Sequence, residues 1–439
     1  MARARRVTVA TVRLWDRDVG AVAWNGGRGI GEFEYDPNFV RQGFQIAPLA
    51  MPLREGVISF PTLNPDTFHG LPGLLADALP DRFGNRIIDA WLARQGRDAN
   101  DFTPVERLCY MGVRGMGALE FKPAIGPRAG KAIPIEVDEL TRLVAEIFRH
   151  RTEWVVSLKN RRAEALDTIV RVGTSAGGNR AKAVIAWNPK TQEVRSGQAE
   201  PPPGFEPWIL KFDGVGDKTL GDPQGFGRVE YAYHKMAVAA GIAMSPCRLL
   251  EEGGRAHFMT RRFDRDSDGG KLHMQSLCAL AHYDFNAAGA FGYEQAMSVI
   301  RQLNLGYPAL REMFRRMVFN VLARNQDDHT RNIGFLMDRN GEWRLAPAYD
   351  VVWAYNAQGT WTNLHQMTVN GKRDGFTLAD LLAVAESFGI KHGRSIVEEV
   401  ADAVARWNAF AEECDVAAAL KERIATTHRT KPARSESFV

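Results

Sequence analysis

Eight consecutive residues, Asn325-Gln326-Asp327-Asp328-His329-Thr330-Arg331-Asn332, followed by Tyr349-Asp350, constrain this chain more than any other stretch. An Asp followed five residues later by an Asn, with a second Asp beyond a short hairpin, is the spacing of a phosphoryl-transfer catalytic loop. In that pattern Asp327 receives a hydroxyl proton, Asn332 binds magnesium and Asp350 holds the other side of the metal. The flanks agree. Leu310, Met313, Phe314, Met317, Val318, Val321 and Leu322 recur at helical spacing, so a core-facing helix delivers the chain to the loop. Ile333 to Met337 and Glu342 to Leu345 read as strands joined by Asp338-Arg339-Asn340-Gly341, whose Asn-Gly favours a tight turn. Two rival readings use the same residues: a turn-forming Asp cluster without chemistry, and a metallohydrolase centre of Asp327, Asp328 and His329. The second lacks a further His or Cys cluster at ligand spacing.

At 439 residues with 45% hydrophobic content, the chain is long enough for two or three packed subdomains. No apolar run approaches the roughly 20 residues that span a bilayer, and the Arg-rich start leads into an alternating strand, so a cytoplasmic, membrane-free protein is expected. Cys109, Cys247, Cys278 and Cys414 are scattered without CxxC spacing, which fits core thiols in a reducing compartment. A net charge of +4 permits nucleic-acid contact without requiring it.

The organisation along the chain predicts four segments. Residues 1–124 form a small α+β unit, with strands at Val7 to Trp15, Gly20 to Trp24 and Gly31 to Tyr35 and a helix opening at Pro80 and ending at Gly96. Pro123 to Pro134 marks a boundary. Residues 125–262 form a strand-rich lobe. In it, a hairpin tip at Gly173 to Arg180, including Thr174, Ser175, Ala176, Gly177, Gly178 and Asn179, is suited to closing backbone N–H groups over phosphates. Lys211 lies on the following strand among Trp208, Ile209, Leu210 and Phe212. Glu230, on a helix from Arg228 to Ala240, either pairs with Lys211 or is an exposed first-turn carboxylate. Residues 263–425 are expected to be helical apart from the hairpin, with helices at Leu378 to Phe388, Arg394 to Glu413 and Val416 to Ile424. Residues 426–439 read as a frayed flexible tail.

A strand-rich lobe followed by a helical lobe with this loop is an α+β, bilobal protein-kinase-like architecture, with a small α+β subdomain in front. The chain also resembles the HipA family of serine/threonine kinases, the toxins of bacterial type II toxin–antitoxin pairs. The resemblance runs from about Val7 to about Ala425 and includes Gly31-Glu32-Phe33-Glu34-Tyr35-Asp36-Pro37, Phe68-His69-Gly70-Leu71-Pro72-Gly73-Leu74 and Asp77-Ala78-Leu79-Pro80-Asp81-Arg82-Phe83-Gly84. It implies Asp327 as base, Asn332 and Asp350 as magnesium ligands, and Lys211 as the cation on the ATP phosphates. It places Ser175, or the adjacent Thr174, at the autophosphorylated position and makes Lys182 the cation closing that loop. Arg261, Arg262 and Phe263 fall at the adenine-facing hinge. His329 either orients the base or touches phosphate, or is a packed histidine. The implied activity is ATP- and magnesium-dependent phosphorylation of itself and of a cellular protein, with aminoacyl-tRNA synthetases as the family precedent. The implied partner is a helix-turn-helix antitoxin, with DNA reached only through that complex. Val351-Val352 after Asp350, and the absence of Gly-x-Gly-x-x-Gly and Ala-Pro-Glu, depart from eukaryotic-type kinases. The alternatives are an idle antitoxin-binding co-repressor partner and a small-molecule phosphotransferase.

Overall fold

Alternating buried and exposed residues along Val9–Leu14 and its neighbours build the first sheet of a computed structural model that describes residues 6–127, 132–149, 180–199, 202–215, 224–266 and 268–430. The described residues fall into two units, one drawn from Met1–Gln224 and Arg248–Met274, the other from Gly225–Cys247 and Gln275–Val439.

In the first unit, β1 (Val9–Leu14), β2 (Arg17–Asn25), β3 (Ile30–Tyr35), β4 (Val57–Ile58) and β5 (Leu119–Lys122) form an antiparallel sheet of order β4-β3-β2-β1-β5. The helix expected from Pro80 begins at Arg82, because the Asp81 carboxylate caps it by accepting the Gly84 N–H at 2.6 Å. A second sheet holds β6 (Lys182–Trp187), β7 (Val194–Ser196), β8 (Glu206–Lys211), β9 (Cys247–Glu252) and β10 (Arg255–Arg261) in the order β7-β6-β8-β10-β9. One face of it carries Ala183, Ile185, Leu210 and Met259. These pack with Leu140 and Val144 of the helix Val137–Arg149, and with Phe83, Ile87 and Ala90 of the helix Arg82–Arg94. A helix from before residue 124 thus contributes Phe83, Ile87 and Ala90 to the core of the second sheet, while its Ile88 and Leu92 pack in a separate cluster with Phe102, Tyr110 and Met111.

In the second unit the helix Gly306–Leu322 is central, with Met313, Phe314, Met317, Val318, Phe319, Val321 and Leu322 fully buried. The helices Tyr293–Gln302 and Gly393–Ala405 pack against it. Its polar side chains are used as well. Arg315 donates to the Ala240 carbonyl at 2.7 Å, capping the end of the helix Phe226–Ala239, and Arg316 donates to the Ala346 carbonyl at 2.9 Å. The hairpin of β11 (Gly334–Met337) and β12 (Trp343–Leu345) follows the loop, with Phe335 opposite Leu345.

Several expectations need correction. The helix Arg394 to Glu413 is two helices, Gly393–Ala405 and Trp407–Glu413, hinged at Arg406. The region after Asp350 is not uniformly helical: residues 349–376 are irregular apart from isolated bridges. The flexible tail does not begin at 426, because Thr427, His428 and Arg429 are packed, His428 and Arg429 being 8% and 4% exposed. Glu230 lies beyond the first helical turn and is buried, which removes its reading as an exposed first-turn carboxylate. All four cysteines are buried thiols. Among the described residues, no helix is long and apolar enough to cross a membrane.

Candidate active site

The helix Gly306–Leu322 ends because Arg324 takes a left-handed φ of +55°, a conformation that stops a helix at its first residue past the cap. From there the loop is tied to the irregular segment after β12. The Gln326 N–H donates to the Ala354 carbonyl at 3.1 Å, and Asn325 and Ala354 form a parallel bridge. The Tyr349 hydroxyl donates to the Arg331 carbonyl at 2.7 Å. These bonds bring the stretch containing Asp350 back beside the loop. Asp350 is held at φ +53°, where a non-glycine residue is strained, as at many functional positions.

Within the loop, the Asn332 side-chain amide donates to the Asp327 main-chain carbonyl at 2.8 Å, so the two predicted site residues share one turn. The Asp327 carboxylate stays accessible, with 42% of its side chain exposed. Its Oδ1 accepts the Trp361 indole N–H at 2.6 Å and lies 3.7 Å from His329 Nε2. His329 is largely buried between Phe285 and Trp361, with ring centroids at 5.3 and 6.3 Å. It therefore packs and also flanks the carboxylate, which joins the two readings of this residue.

Asp328 does the opposite of its neighbour. Its carboxylate is fully buried and accepts from the Tyr293 hydroxyl at 2.9 Å, His365 Nδ1 at 2.8 Å and the Gln366 N–H at 2.8 Å. Burial pushes its carboxyl up, but His365 beside it and the three donors outweigh that and hold it below the ordinary carboxylate value. The network extends through Asn320, which donates to the Tyr293 hydroxyl, and Asn325, which donates to Asn320, each near 2.9 Å. With Asp328 turned into the core, Asp327, Asp328 and His329 do not converge on one ion, and the metallohydrolase reading fails. Among the described residues no group of three His, Cys, Asp or Glu side chains is placed to hold a metal.

In the first unit, antiparallel register puts Lys182 directly opposite Lys211, and Phe258 directly opposite Lys211 on the other side. The three side chains form a row on the sheet face opposite Ala183 and Leu210. Lys182 and Lys211 are 5% and 8% exposed, and Lys211 Nζ stands 5.5 Å over the Phe258 ring. Two lysines at paired positions on adjacent strands give this face a positive charge that suits an anion such as a polyphosphate. Arg262 is used differently: its guanidinium is bidentate on buried Asp264 at 2.9 and 2.7 Å, and its N–H donates to the Pro207 carbonyl at 3.0 Å. Neither group is available to a nucleotide base. Arg261 is partly exposed and lies 3.9 Å from Glu206, and Phe263 is half-buried. The loop positions Thr174, Ser175, Ala176, Gly177, Gly178 and Asn179 lie outside the described residues.

Trp361, His365 and Gln366, which touch the loop carboxylates, were missed by the sequence reading. They sit in the irregular segment, and no periodicity or spacing points to them.

The pattern of the HipA-like C-terminal domain matches residues 174–407, and that of the HipA N-terminal domain matches residues 10–122. The fold is α+β and kinase-like. Its backbone aligns with HipA of Shewanella oneidensis, solved in complex with HipB and operator DNA, at a TM-score of 0.66 and 18% identity, covering 95% of this chain and 96% of that one. The chain belongs to the HipA family. A kinase-named protein of Haemophilus influenzae is 34% identical over 103 residues, and kinase Y4mE of Sinorhizobium fredii, also so named, is 26% identical over 128. Those alignments cover 22% and 27% of this chain, and each spans 30% of the relative.

Proposed function

We propose that this chain is an ATP- and magnesium-dependent serine/threonine protein kinase of the HipA toxin type. The observation that carries the proposal is the Asn332 to Asp327 hydrogen bond, which holds an accessible carboxylate and a metal-binding amide in one turn, with the Asp350 segment bonded to the same loop. Bound ATP with magnesium would supply the phosphoryl group and neutralise its charge. Asn332 and Asp350 offer the few oxygen ligands that magnesium takes from protein when phosphates and water complete its shell. Lys182 and Lys211 would hold phosphate oxygens, with Phe263 and Arg261 toward the nucleoside end. Asp327 would orient the acceptor hydroxyl and receive its proton, so that catalysis is mainly positional and electrostatic.

The acceptor is proposed to be a serine or threonine of a cellular protein, an aminoacyl-tRNA synthetase by family precedent. Ser175 or Thr174 is proposed as the site of self-phosphorylation, where a dianion would repel the nucleotide and switch the enzyme off. A HipB-like antitoxin is the proposed partner, supported by the composition of the Shewanella complex. Intact-mass spectrometry after incubation with magnesium and ATP, on wild type and Asp327→Asn, tests this. Added phosphate on Ser175 or Thr174 in wild type alone supports it; unchanged wild-type mass, with no transfer to any added protein, overturns it.

A further inference from the structure

The two adjacent aspartates of the loop grip one segment from two sides. Asp328 Oδ1 holds the Gln366 N–H at 2.8 Å, the Gln366 side-chain amide donates to the Trp361 carbonyl, and the Trp361 indole donates to Asp327 Oδ1 at 2.6 Å. The result is a closed circuit of Asp327, Trp361, Gln366 and Asp328. Two of its members, Asp328 and Gln366, are 3% exposed, and the backbone of Asp327 is tied to Asp328 by the peptide bond. The fourth, Trp361, is half-buried, and its ring faces His329. Both contacts to the Asp327 carboxylate, from the indole and from His329, fall on Oδ1. Oδ2 makes neither of these contacts.

We propose that Trp361 is a positioning residue for phosphoryl transfer: its indole N–H fixes the rotamer of Asp327 so that Oδ2 meets the acceptor hydroxyl. This rests on the kinase reading given above. A carboxylate at the end of a rotatable bond has a broad torsional well. One short charge-assisted hydrogen bond, anchored at the other end to a buried network, narrows it. The acceptor alone benefits, because the ATP-side groups assigned above are other residues.

The test is Trp361→Phe, which keeps an aromatic ring against His329 and deletes only the donor, beside Trp361→Ala. The expected result for Trp361→Phe is a kcat lower by about tenfold or more, the scale on which misplaced catalytic groups lose rate, with KM for ATP within about twofold and an unchanged Tm. Retention of kcat within about twofold, or a kcat loss accompanied by an equal rise in KM for ATP, overturns the proposal. The contact is read separately by the Trp361 indole N–H resonance, assigned by its loss in Trp361→Phe. It should move when Asp327 is changed to Ala, and an unmoved resonance also overturns the proposal. The two levels separate cleanly: a wild type without transfer removes the kinase reading and this role together, whereas an active wild type matched by Trp361→Phe removes this role alone.

Discussion

Asn332 donates its side-chain amide to the main-chain carbonyl of Asp327 at 2.8 Å. The amide nitrogen shapes the loop, and in the proposed kinase the amide oxygen would bind the metal, so one side chain would serve structure and chemistry together.

Asn332→Asp separates those roles. It keeps an oxygen ligand and loses the donor, and a typical hydrogen bond contributes about 1 kcal/mol. The expected outcome is a modest fall in stability by chemical denaturation, together with phosphoryl transfer reduced by at least tenfold (about 1.4 kcal/mol in barrier). Full retention of transfer would show that the amide's grip on Asp327 is dispensable.

The opposed Lys182 and Lys211 predict anion-dependent stability. Triphosphate should raise Tm, following the mass-action dependence on ligand concentration. In Lys211→Met most of the triphosphate-dependent rise should disappear. Thermal shift titrations of both proteins decide the matter, and an undiminished rise in Lys211→Met would rule out the phosphate role.

Asp328 is a structural carboxylate, so its loss should be felt in stability before chemistry. Asp328→Ala leaves His365, Tyr293 and the Gln366 N–H without their shared acceptor. Breaking a buried charged network of this kind costs about 3–5 kcal/mol. Urea unfolding should show a fall of that order, and a change below about 1 kcal/mol would mean that the network is not coupled to the fold.

His428 gives a pH dependence with a definite sign. The Tyr233 hydroxyl donates to the Ala323 carbonyl at 2.7 Å, so at 2.8 Å it must accept from His428 Nε2, which assigns a neutral ring protonated at Nε2. Burial, with Arg324 nearby, pushes His428 down to about 3. The unfolded chain therefore binds a proton, near the ordinary value of about 6.5, that the folded chain refuses. Stability from this group is complete above that value and is lost as pH falls toward 3. His428→Gln, with an amide to donate to Tyr233, should show a shallower fall in Tm between pH 6.5 and 4 than wild type; parallel curves would contradict the assignment.

Much of the candidate site was legible in the sequence because its residues are close together in the chain. Asp327, Asn332 and Asp350 lie on one helix, loop and hairpin, and apolar spacing places each of those elements. What holds them was not legible. Trp361 meets Asp327 across 34 residues, His365 meets Asp328 across 37, and Arg429 meets His365 across 64. These are single hydrogen bonds from an irregular segment and from a stretch that read as a polar tail. Neither carries the periodicity that betrays packing. The hold on the Arg262 side chain was hidden for a related reason: its capture by buried Asp264 depends on the Gly117 N–H and Arg265 converging on the same carboxylate.

The packed residues at 427–429 also bear on the order in which the protein is completed during synthesis. Arg429 donates to the Leu322 and Val321 carbonyls, and the Thr427 carbonyl accepts from Arg324, across sequence separations of 103 to 108 residues. A ribosome releases the helix Gly306–Leu322 and the loop after it long before it releases these partners. Until then the root of the loop lacks the bonds that fix it. The nascent chain thus carries Asp327, Asn332 and Asp350 well before it can hold them in place, and this loop reaches its final geometry only when nearly all of the described residues have emerged.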